Sequence, residues 1–204
     1  MPEDLAAPRT PTLASTVLPR VWQGLGYRPL PDAAPARPLF DFAAVPWPES
    51  AMLAFAWGAF APAADGERLV GALVAERAAT TAFLYVVAGR VERPRRETSE
   101  IQHVAGRVER PGRETSEIQH TDIATHPLEV AAQLVAAAID HASALGVKTV
   151  YARPQGLDRV WIRYGFMPVP EVALPAALAG RAGIGLYAWR GNSALWTLRE
   201  AAHD

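Results

Sequence analysis

One segment constrains the fold more than any other, a long helix predicted over residues 127–146. Its sequence, PLEVAAQLVAAAIDHASALG, has apolar side chains at helical spacing: Leu128, Ala131, Leu134, Val135, Ala138 and Ala142. Pro127 suits the first helical turn, and Gly146 is typical of the residue that follows a helix. Because a single helix with one apolar face cannot stay soluble alone, it must pack against another layer of structure.

Runs of apolar and β-branched residues on both sides of this helix predict a sheet. The segments 51–60 and 68–78 flank Asp65-Gly66, a turn signal, and predict a β-hairpin. Further strands are predicted at 82–91, 117–126, 148–153, 184–190 and 194–200, with a short helix at 157–165 that presents Val160, Trp161 and Tyr164 on one side. This order predicts an α/β (α+β) fold with a sheet flanked by helices.

The first 50 residues differ from the rest, since they contain ten of the eighteen prolines. Residues 13–26 predict a short helix with Pro19 near its start or at a kink, and residues 30–38 predict a loop or extended linker. We therefore expect residues 1–50 to form a proline-rich extension that wraps one domain spanning residues 51–204.

A 17-residue segment occurs twice in tandem, at 87–103 and 104–120, and the copies differ only at Arg95 and Gly112. Architectural repeats diverge and need several copies to bury a core. The duplication of coding DNA is therefore recent, natural or introduced. We expect residues 114–120 to supply the strand and the surplus between Val91 and Glu114 to form a surface loop. Two alternatives remain: either copy of SEIQH pairs with the sheet, or the spare strand pairs with a second molecule as a homodimer.

Composition excludes several classes of function. The net charge of −1 gives no general attraction to nucleic acid or to an anionic membrane. The chain has no cysteine, and the apolar run Ala51–Ala64 is too short to cross a bilayer. The N-terminus lacks the basic start and apolar core of a signal peptide. Lys148 is the only lysine, a bias that suggests a GC-rich bacterial genome. We expect a cytoplasmic protein.

The stretch from Ile118 to Pro170 resembles the core of the GNAT superfamily of N-acetyltransferases. The resemblance rests on four matched segments: IQHTDIATHP, LEVAAQLVAAAIDHASALG, VKTVYAR and RVWIRYGFMPVP with its Gly165-Phe166 ending. It implies a mixed, mainly antiparallel central sheet. It also implies transfer of an acetyl group from acetyl-CoA to an amine, on a small molecule or a peptide.

The resemblance also implies a site. In this family the strand before the long helix splays from its neighbour and pairs with the pantetheine of acyl-CoA, which assigns that role to Ile123, Ala124 and Thr125. The diphosphate sits on amides at the helix start, which assigns Val130, Ala131 and Ala132; free N–H groups and a partial positive charge favour an anion there. A strand carboxylate, Asp122 or Glu117, is the expected base, and Tyr164 is the expected acid.

The strand itself leaves one question open. Ile118 and Ile123 are five residues apart, so either a bulge brings both onto one face or one of them faces outward. His120, Asp122 and His126 match no metal-binding spacing, and we expect no metal site.

Two positions depart from the family pattern. Glu129 stands where a glycine is usual, and a carboxylate repels a diphosphate. Trp161 stands where a tyrosine often serves as general acid, and an indole N–H cannot do so. Both fit a divergent acyltransferase, a catalytically silent domain kept for protein binding or assembly, or a CoA sensor without turnover.

A weaker similarity links residues 18–31, LPRVWQGLGYRPLP, with residues 157–170, LDRVWIRYGFMPVP. It is either a remnant of a tandem domain or chance in a biased composition.

Overall fold

The computed structural model describes residues 18–49, 52–89 and 125–191. These residues form three helices and eight strands. The helices are α1 (Arg37–Phe42), α2 (Pro127–Ala144) and α3 (Asp158–Arg163). The strands are β1 (Arg20–Trp22), β2 (Leu25–Pro29), β3 (Leu53–Ala63), β4 (Gly66–Ala78), β5 (Thr81–Ala88), β6 (Thr149–Ala152), β7 (Met167–Pro168) and β8 (Tyr187–Arg190).

All eight described strands belong to one sheet with the order β1-β2-β3-β4-β5-β6-β8-β7. Every neighbouring pair is antiparallel except β5 and β6, which are parallel. A parallel pair needs a long crossover, and α2 lies within the one that joins β5 to β6. The predicted fold class, a mixed and mainly antiparallel sheet flanked by helices, is confirmed.

The predicted hairpin around Asp65-Gly66 is confirmed as β3 and β4. Ala63 pairs with Gly66, so Ala64 and Asp65 form a two-residue turn. Gly66 has φ of +131°, a value that side chains with a Cβ rarely adopt. A second tight turn at Ala79 and Thr80 leads from β4 into β5, so three long strands follow one another directly in chain and in space.

The long helix also forms as predicted. Pro127 occupies its first turn, and Gly146 follows it with φ of +73°. The amide of Gly146 donates to the Ser143 carbonyl and the amide of Val147 donates to the Ala142 carbonyl, which together make a Schellman ending. Of the six predicted apolar positions, all except the half-buried Leu128 are buried against the sheet.

The helix predicted at residues 13–26 is wrong over its described part, residues 18–26. That part is the hairpin of β1 and β2, with Gln23 and Gly24 as its turn. Both turn residues have positive φ, 49° and 77°, as the two-residue turn that matches strand twist requires. The turn residues outweigh the apolar spacing, because a helix cannot contain two successive left-handed residues.

The linker predicted at residues 30–38 is wrong in its second half. A 3-10 turn spans Ala34–Ala36 and continues into α1. The Phe40 ring of α1 is buried and packs edge-on against Trp47 at 5.1 Å between ring centroids. Helix α1 therefore covers a face of the sheet, and β2 pairs directly with β3.

Two apolar cores lie on opposite faces of the sheet. Helices α2 and α3 cover the first core, and α1 together with residues 169–186 covers the second. The predictions for β6, α3 and β8 are confirmed, and Val160 and Trp161 are the buried residues of α3. Of the strand predicted at 117–126, only Thr125, in an isolated bridge, and His126, which caps α2, are described. The strand predicted at 194–200, the surplus loop and the alternatives for the tandem copies lie outside the described residues.

Candidate functional site

The start of α2 is the first feature that can bind a ligand. The His126 ring lies at the position that precedes the helix, and its Nδ1 accepts a hydrogen bond from the Leu128 amide at 3.2 Å. The His126 carbonyl accepts from the amides of Glu129 (2.9 Å) and Val130 (3.3 Å). A histidine therefore caps a helix end whose partial positive charge favours anions.

A salt bridge connects this helix start to α3. Arg163, the last residue of α3, approaches both carboxylate oxygens of Glu129, with Nη1 at 3.2 Å and 3.4 Å. Both side chains are partly exposed. The negative charge of Glu129 sits favourably in the first turn of α2, and a guanidinium lies directly beside it.

The sheet beneath the helix start is built from small residues. Ala59, Gly71 and Ala88 are neighbours across β3, β4 and β5. A Cβ on Gly71 would lie 2.9 Å from Cγ1 of Val130, closer than atoms in contact allow. The first turn of α2 thus rests on the sheet only because residue 71 has no side chain.

A buried tyrosine ends the same row of residues. Tyr27 pairs with Ala59 and has no exposed surface, and its hydroxyl has no hydrogen-bond partner among the described residues. Burial, and then the negative charge of Glu129, raises the pKa of Tyr27 to about 12. Since an unpaired buried hydroxyl is costly, this orphaned group near the start of α2 is a candidate donor to a ligand.

Strands β5 and β6 stay paired for only four residues. The ladder runs from Thr81 with Thr149 to Leu84 with Ala152, where β6 ends. Strand β5 continues through Tyr85–Ala88, still paired with β4 on its other side. Among the described residues, this second half of β5 has no ladder partner on the side of β6.

The structure places the residues predicted from sequence as follows. Glu117, Asp122, Ile123 and Ala124 lie outside the described residues. Thr125 is buried in an isolated β-bridge just before α2. Val130 lies in the first turn over Gly71, and Ala131 and Ala132 are buried in the helix body. Tyr164 follows Arg163 at the end of α3, so Thr125, Val130 and Tyr164 lie on elements that meet at the helix start.

Trp161, one of the two departures, has a structural role. Its ring has no exposed surface and packs against Phe166 at 5.0 Å between ring centroids. Its Nε1 donates to the Pro154 carbonyl at 3.1 Å. The indole therefore fixes α3 to the segment that follows β6, and its N–H is already used.

Sequence reasoning missed a tyrosine beside the point where β5 and β6 part. Tyr187 pairs with Ala152, the last residue of β6, and its hydroxyl donates to Asp158 Oδ1 at 3.0 Å. That hydrogen bond, with burial, raises the pKa of Tyr187, so its hydroxyl keeps its proton at neutral pH. The strand at 184–190 was predicted, but nothing in the sequence alone pairs Tyr187 with Asp158.

Sequence reasoning also missed a charged cluster on the opposite face. Oε2 of Glu76 accepts from the Tyr85 hydroxyl at 2.9 Å and from Arg181 Nε at 2.9 Å. Burial, and then the Glu76 carboxylate, raises the pKa of Tyr85. The signal was present as a glutamate inside the apolar run 68–78, because a buried carboxylate requires a partner.

A second arginine supports this cluster. Arg153 follows β6 and is buried, and its guanidinium bonds both oxygens of Glu171 at 2.6 Å. It also donates to the carbonyls of Gly185 (2.8 Å) and Arg181 (2.6 Å). The hydrogen bonds to Arg153 hold the pKa of Glu171 below its usual range. Such a two-pronged pair fixes the geometry of the segment that carries Arg181.

Three further features of the described residues were compared with the needs of a binding site: a cleft, groups of metal-binding side chains, and long apolar helices. A cleft of about 250 Å³ lies along β7 and β8, lined by Gly165, Met167, Pro168, Val169, Ala188 and Arg190. In the ranges given above, no three histidine, aspartate or glutamate side chains are grouped to hold a metal ion. Nor is any helix there long and apolar enough to span a bilayer.

Comparison with known proteins bears on the fold. No protein-family model matches the chain, and no curated protein matches it. The structure is similar to a GNAT-family acetyltransferase from Staphylococcus aureus Mu50, with a TM-score of 0.48 and 8% identity over 81% of this chain and 98% of that one. It is also similar to N-acetylglutamate synthase from Neisseria gonorrhoeae, solved with coenzyme A and N-acetyl-glutamate.

For the synthase, the TM-score is 0.47 and the identity 14%, over 81% of this chain. The match covers only 35% of the synthase chain. At such low identity, both similarities concern the fold alone.

Proposed function

We propose that this protein is an acyl-CoA-dependent N-acyltransferase that transfers an acetyl group from acetyl-CoA to an amine. The observation that carries the proposal is the parting of β5 and β6 after Leu84 and Ala152, at the same edge as the start of α2. An extended ligand with amide groups can pair with the side of Tyr85–Ala88 that has no ladder partner among the described residues, while its phosphates lie at a helix start.

The residues at this site fit acetyl-CoA in two further respects. The hydroxyl of Tyr27 is a donor without a partner among the residues that the structure describes. The Arg163 guanidinium offers two or more N–H groups to a diphosphate and offsets the charge of Glu129. When bound, acetyl-CoA supplies the activated thioester; the partial positive charge at the start of α2 and the side chain of Arg163 would orient its phosphates.

The chain supplies proton donors close to the point of parting. Tyr187 is the first candidate acid: its hydroxyl, which donates to Asp158 in this structure, would exchange that hydrogen bond for one to a departing thiolate. Tyr164, at the end of α3, is the second candidate acid. Asp122 and Glu117 remain the proposed bases from sequence. The acceptor is a small-molecule or peptide amine, and homodimerisation and a cytoplasmic location remain part of the proposal.

Calorimetric titration with acetyl-CoA tests the proposal. We expect a dissociation constant in the micromolar range. Glu129→Gln should tighten binding about fivefold by removing one repulsive charge, and Arg163→Gln should weaken it by a similar factor. Acetyl-pantetheine, which lacks the diphosphate, should show neither effect.

The matched control is Arg20→Gln. Arg20 pairs with Asp140 on the same helix at 2.7 Å but far from its start, so affinity should not change. Absence of binding at millimolar acetyl-CoA would reject the transferase.

A second candidate function, a catalytically silent domain for protein binding or assembly, is favoured by Glu129. Its carboxylate already occupies the first turn of α2 and has its own cation. In that case Glu129→Gln would still leave no measurable binding of acetyl-CoA.

A further inference from the structure

The segment between β7 and β8, residues 169–186, covers the sheet face opposite to α2. Its apolar residues Leu174, Leu178 and Leu186 are buried in the second core. The Tyr151 hydroxyl of β6 donates to the Ala173 carbonyl at 2.7 Å. We call residues 169–186 the cover segment, and these contacts fix its two ends to the sheet.

Arg181 reaches from the cover segment to a carboxylate inside the protein. The Glu76 side chain is 1% exposed, and the Arg181 side chain is 19% exposed. Arg181 Nε bonds Glu76 at 2.9 Å, Nη1 bonds the Ala179 carbonyl at 3.0 Å, and Nη2 lies 3.2 Å from the Met52 sulfur. A carboxylate this deeply buried needs a cation, because desolvation of an unpaired charge is strongly unfavourable.

The position of Glu76 relates it to the proposed reaction. Glu76 pairs with Phe83 across β4 and β5, and Tyr85, which bonds its carboxylate, is the first residue of β5 beyond the paired segment. The Glu76–Tyr85 pair therefore lies beside the point where β5 and β6 part. An acceptor amine must approach the thioester at this point if the proposed function holds.

Three glycines with positive φ lie next to or near Arg181 in the cover segment. Gly180, Gly183 and Gly185 have φ of +78°, +119° and +79°. Arg153 bonds the carbonyls of Arg181 and Gly185, so it holds the main chain while the Arg181 side chain remains partly exposed. Withdrawal of that side chain alone would leave a buried acidic site with one vacancy for a cation.

We propose that Glu76 and Tyr85 form the binding site for the acceptor's cationic nitrogen, a primary ammonium or a guanidinium, and that the Arg181 side chain occupies this site when no acceptor is bound. This inference rests on the proposed function, whose acceptor it names by chemical class. A neutral or anionic acceptor is rejected, since neither compensates the buried charge of Glu76.

Chemical rescue in the absence of CoA tests the inference. Arg181→Ala removes the cation, and methylguanidinium at millimolar concentration should then restore it. We expect a saturable rise in melting temperature of about 2–4 °C for this variant. Methylammonium should act similarly and more weakly. Wild-type protein should show a smaller saturable rise, because the added cation must first displace the Arg181 side chain, and the double variant Glu76→Gln/Arg181→Ala should show none.

A matched control uses an exposed pair on the same sheet. Arg28 contacts Glu67 at 2.7 Å, with both side chains largely in solvent. Arg28→Ala should show no saturable response to methylguanidinium, because water already solvates Glu67. A response of equal size in this control would mean nonspecific stabilisation and would overturn the inference.

A second variant guards against loss of folding. Arg181→Gln retains length and hydrogen bonding, and the same titration applies. A folded Arg181 variant without saturable rescue, an absolute requirement for arginine at position 181 for folding, or a wild-type protein that does not respond at any concentration would show a purely structural ion pair and overturn the inference. Since no CoA is present, failure here and failure to bind acetyl-CoA are separate results.

Discussion

Two glutamate–arginine pairs lie on opposite faces of the sheet and have the same chemistry in different surroundings. Glu129 and Arg163 join α2 to α3 at the surface, with side chains 39% and 52% exposed. Glu76 and Arg181 join β4 to the cover segment, and Glu76 is 1% exposed. The role of an ion pair therefore depends on whether water can solvate the remaining charge when one partner is removed.

At the surface, water replaces a lost partner at little cost, so the Glu129–Arg163 pair is free to act on a ligand's charge. In the interior, the remaining charge has no such replacement. The first pair should therefore govern affinity for an anion with little effect on stability. The second should govern stability and admit only another cation.

Removal of the buried cation should change stability most. Arg181→Met should lower the free energy of unfolding by about 3 kcal/mol, because it leaves Glu76 buried without a partner. The matched variant Arg163→Met should lower it by about 0.5 kcal/mol or less. Urea unfolding followed by tryptophan fluorescence measures both. Equal losses in the two variants would mean that burial does not distinguish these pairs.

The next prediction concerns Gly71, which lies beneath the turn of α2 that carries Glu129 of the exposed pair. Gly71→Ala would place its Cβ 2.9 Å from Val130 Cγ1 and 3.1 Å from the Val87 carbonyl oxygen. The first turn of α2, which carries Glu129, must shift, and we expect a loss of about 1–3 kcal/mol.

Gly26→Ala is the control for this substitution, since the nearest atom to its Cβ is 3.9 Å away. Its stability should be unchanged or slightly increased, because alanine has less freedom in the unfolded chain. An unaltered unfolding midpoint for Gly71→Ala would show that α2 does not rest on the sheet at this point.

Much of the fold was predictable from sequence, because the signals are local. The turn at Asp65-Gly66 and the helix of residues 127–146 are marked by their own turn and capping residues, and both form as predicted. The hairpin of β1 and β2 was missed because its short strands gave a weaker signal than the apolar spacing around them. The Gln23-Gly24 turn was the informative feature.

The similar segments 18–31 and 157–170 also show that a short local sequence does not determine its secondary structure. Arg-Val-Trp is a strand at 20–22 and lies within a helix at 159–161. The first is followed by the turn Gln23-Gly24, whereas the second continues through Ile162-Arg163, which sustains a helix. Trp22 is exposed and Trp161 is buried. Neighbouring residues and tertiary packing therefore decide which secondary structure the same tripeptide adopts.

The candidate site was less predictable than the fold. The start of α2 followed from the helix boundary, but the Arg163 partner of Glu129 did not. Arg181 is 105 residues from Glu76 in the chain, and no local pattern relates them. Ion pairs between distant segments depend on the sheet order, which only the structure supplies.

The third prediction tests the end of α2 that lies away from both pairs. His141 Nδ1 accepts from Trp57 Nε1 at 3.1 Å, and its ring stacks on Phe55 at 4.3 Å between centroids. Burial lowers the pKa of His141 below its usual 6.5. The folded state thus favours the neutral ring, and the unfolded chain binds the proton more readily.

The stability that His141 contributes is fully present above pH 6.5 and is lost as the pH falls toward the lower folded-state pKa. Urea unfolding at pH 7.5 and pH 5.5 should show this loss in the wild type. His141→Gln, whose amide oxygen can accept from Trp57, should show a smaller pH dependence. An identical pH dependence in this variant would assign the effect to another group.

Removal of one tandem copy should change the free energy of unfolding least. Deletion of residues 87–103 joins Val86 to Val104, and residues 104–106 repeat the sequence of Val87–Gly89. Strand β5 therefore keeps its sequence, and the connection from β5 to α2 shortens by 17 residues. Since closure entropy changes by about 0.6 kcal/mol for each doubling of loop length, the free energy of unfolding should change by less than about 1 kcal/mol.

Acetyl-CoA affinity and the methylguanidinium response of Arg181→Ala should also survive the deletion, because neither pair includes a residue of the deleted copy. A loss of several kcal/mol would mean that the first copy packs on the domain. A change from dimer to monomer in light scattering would instead assign the spare segment to pairing between molecules.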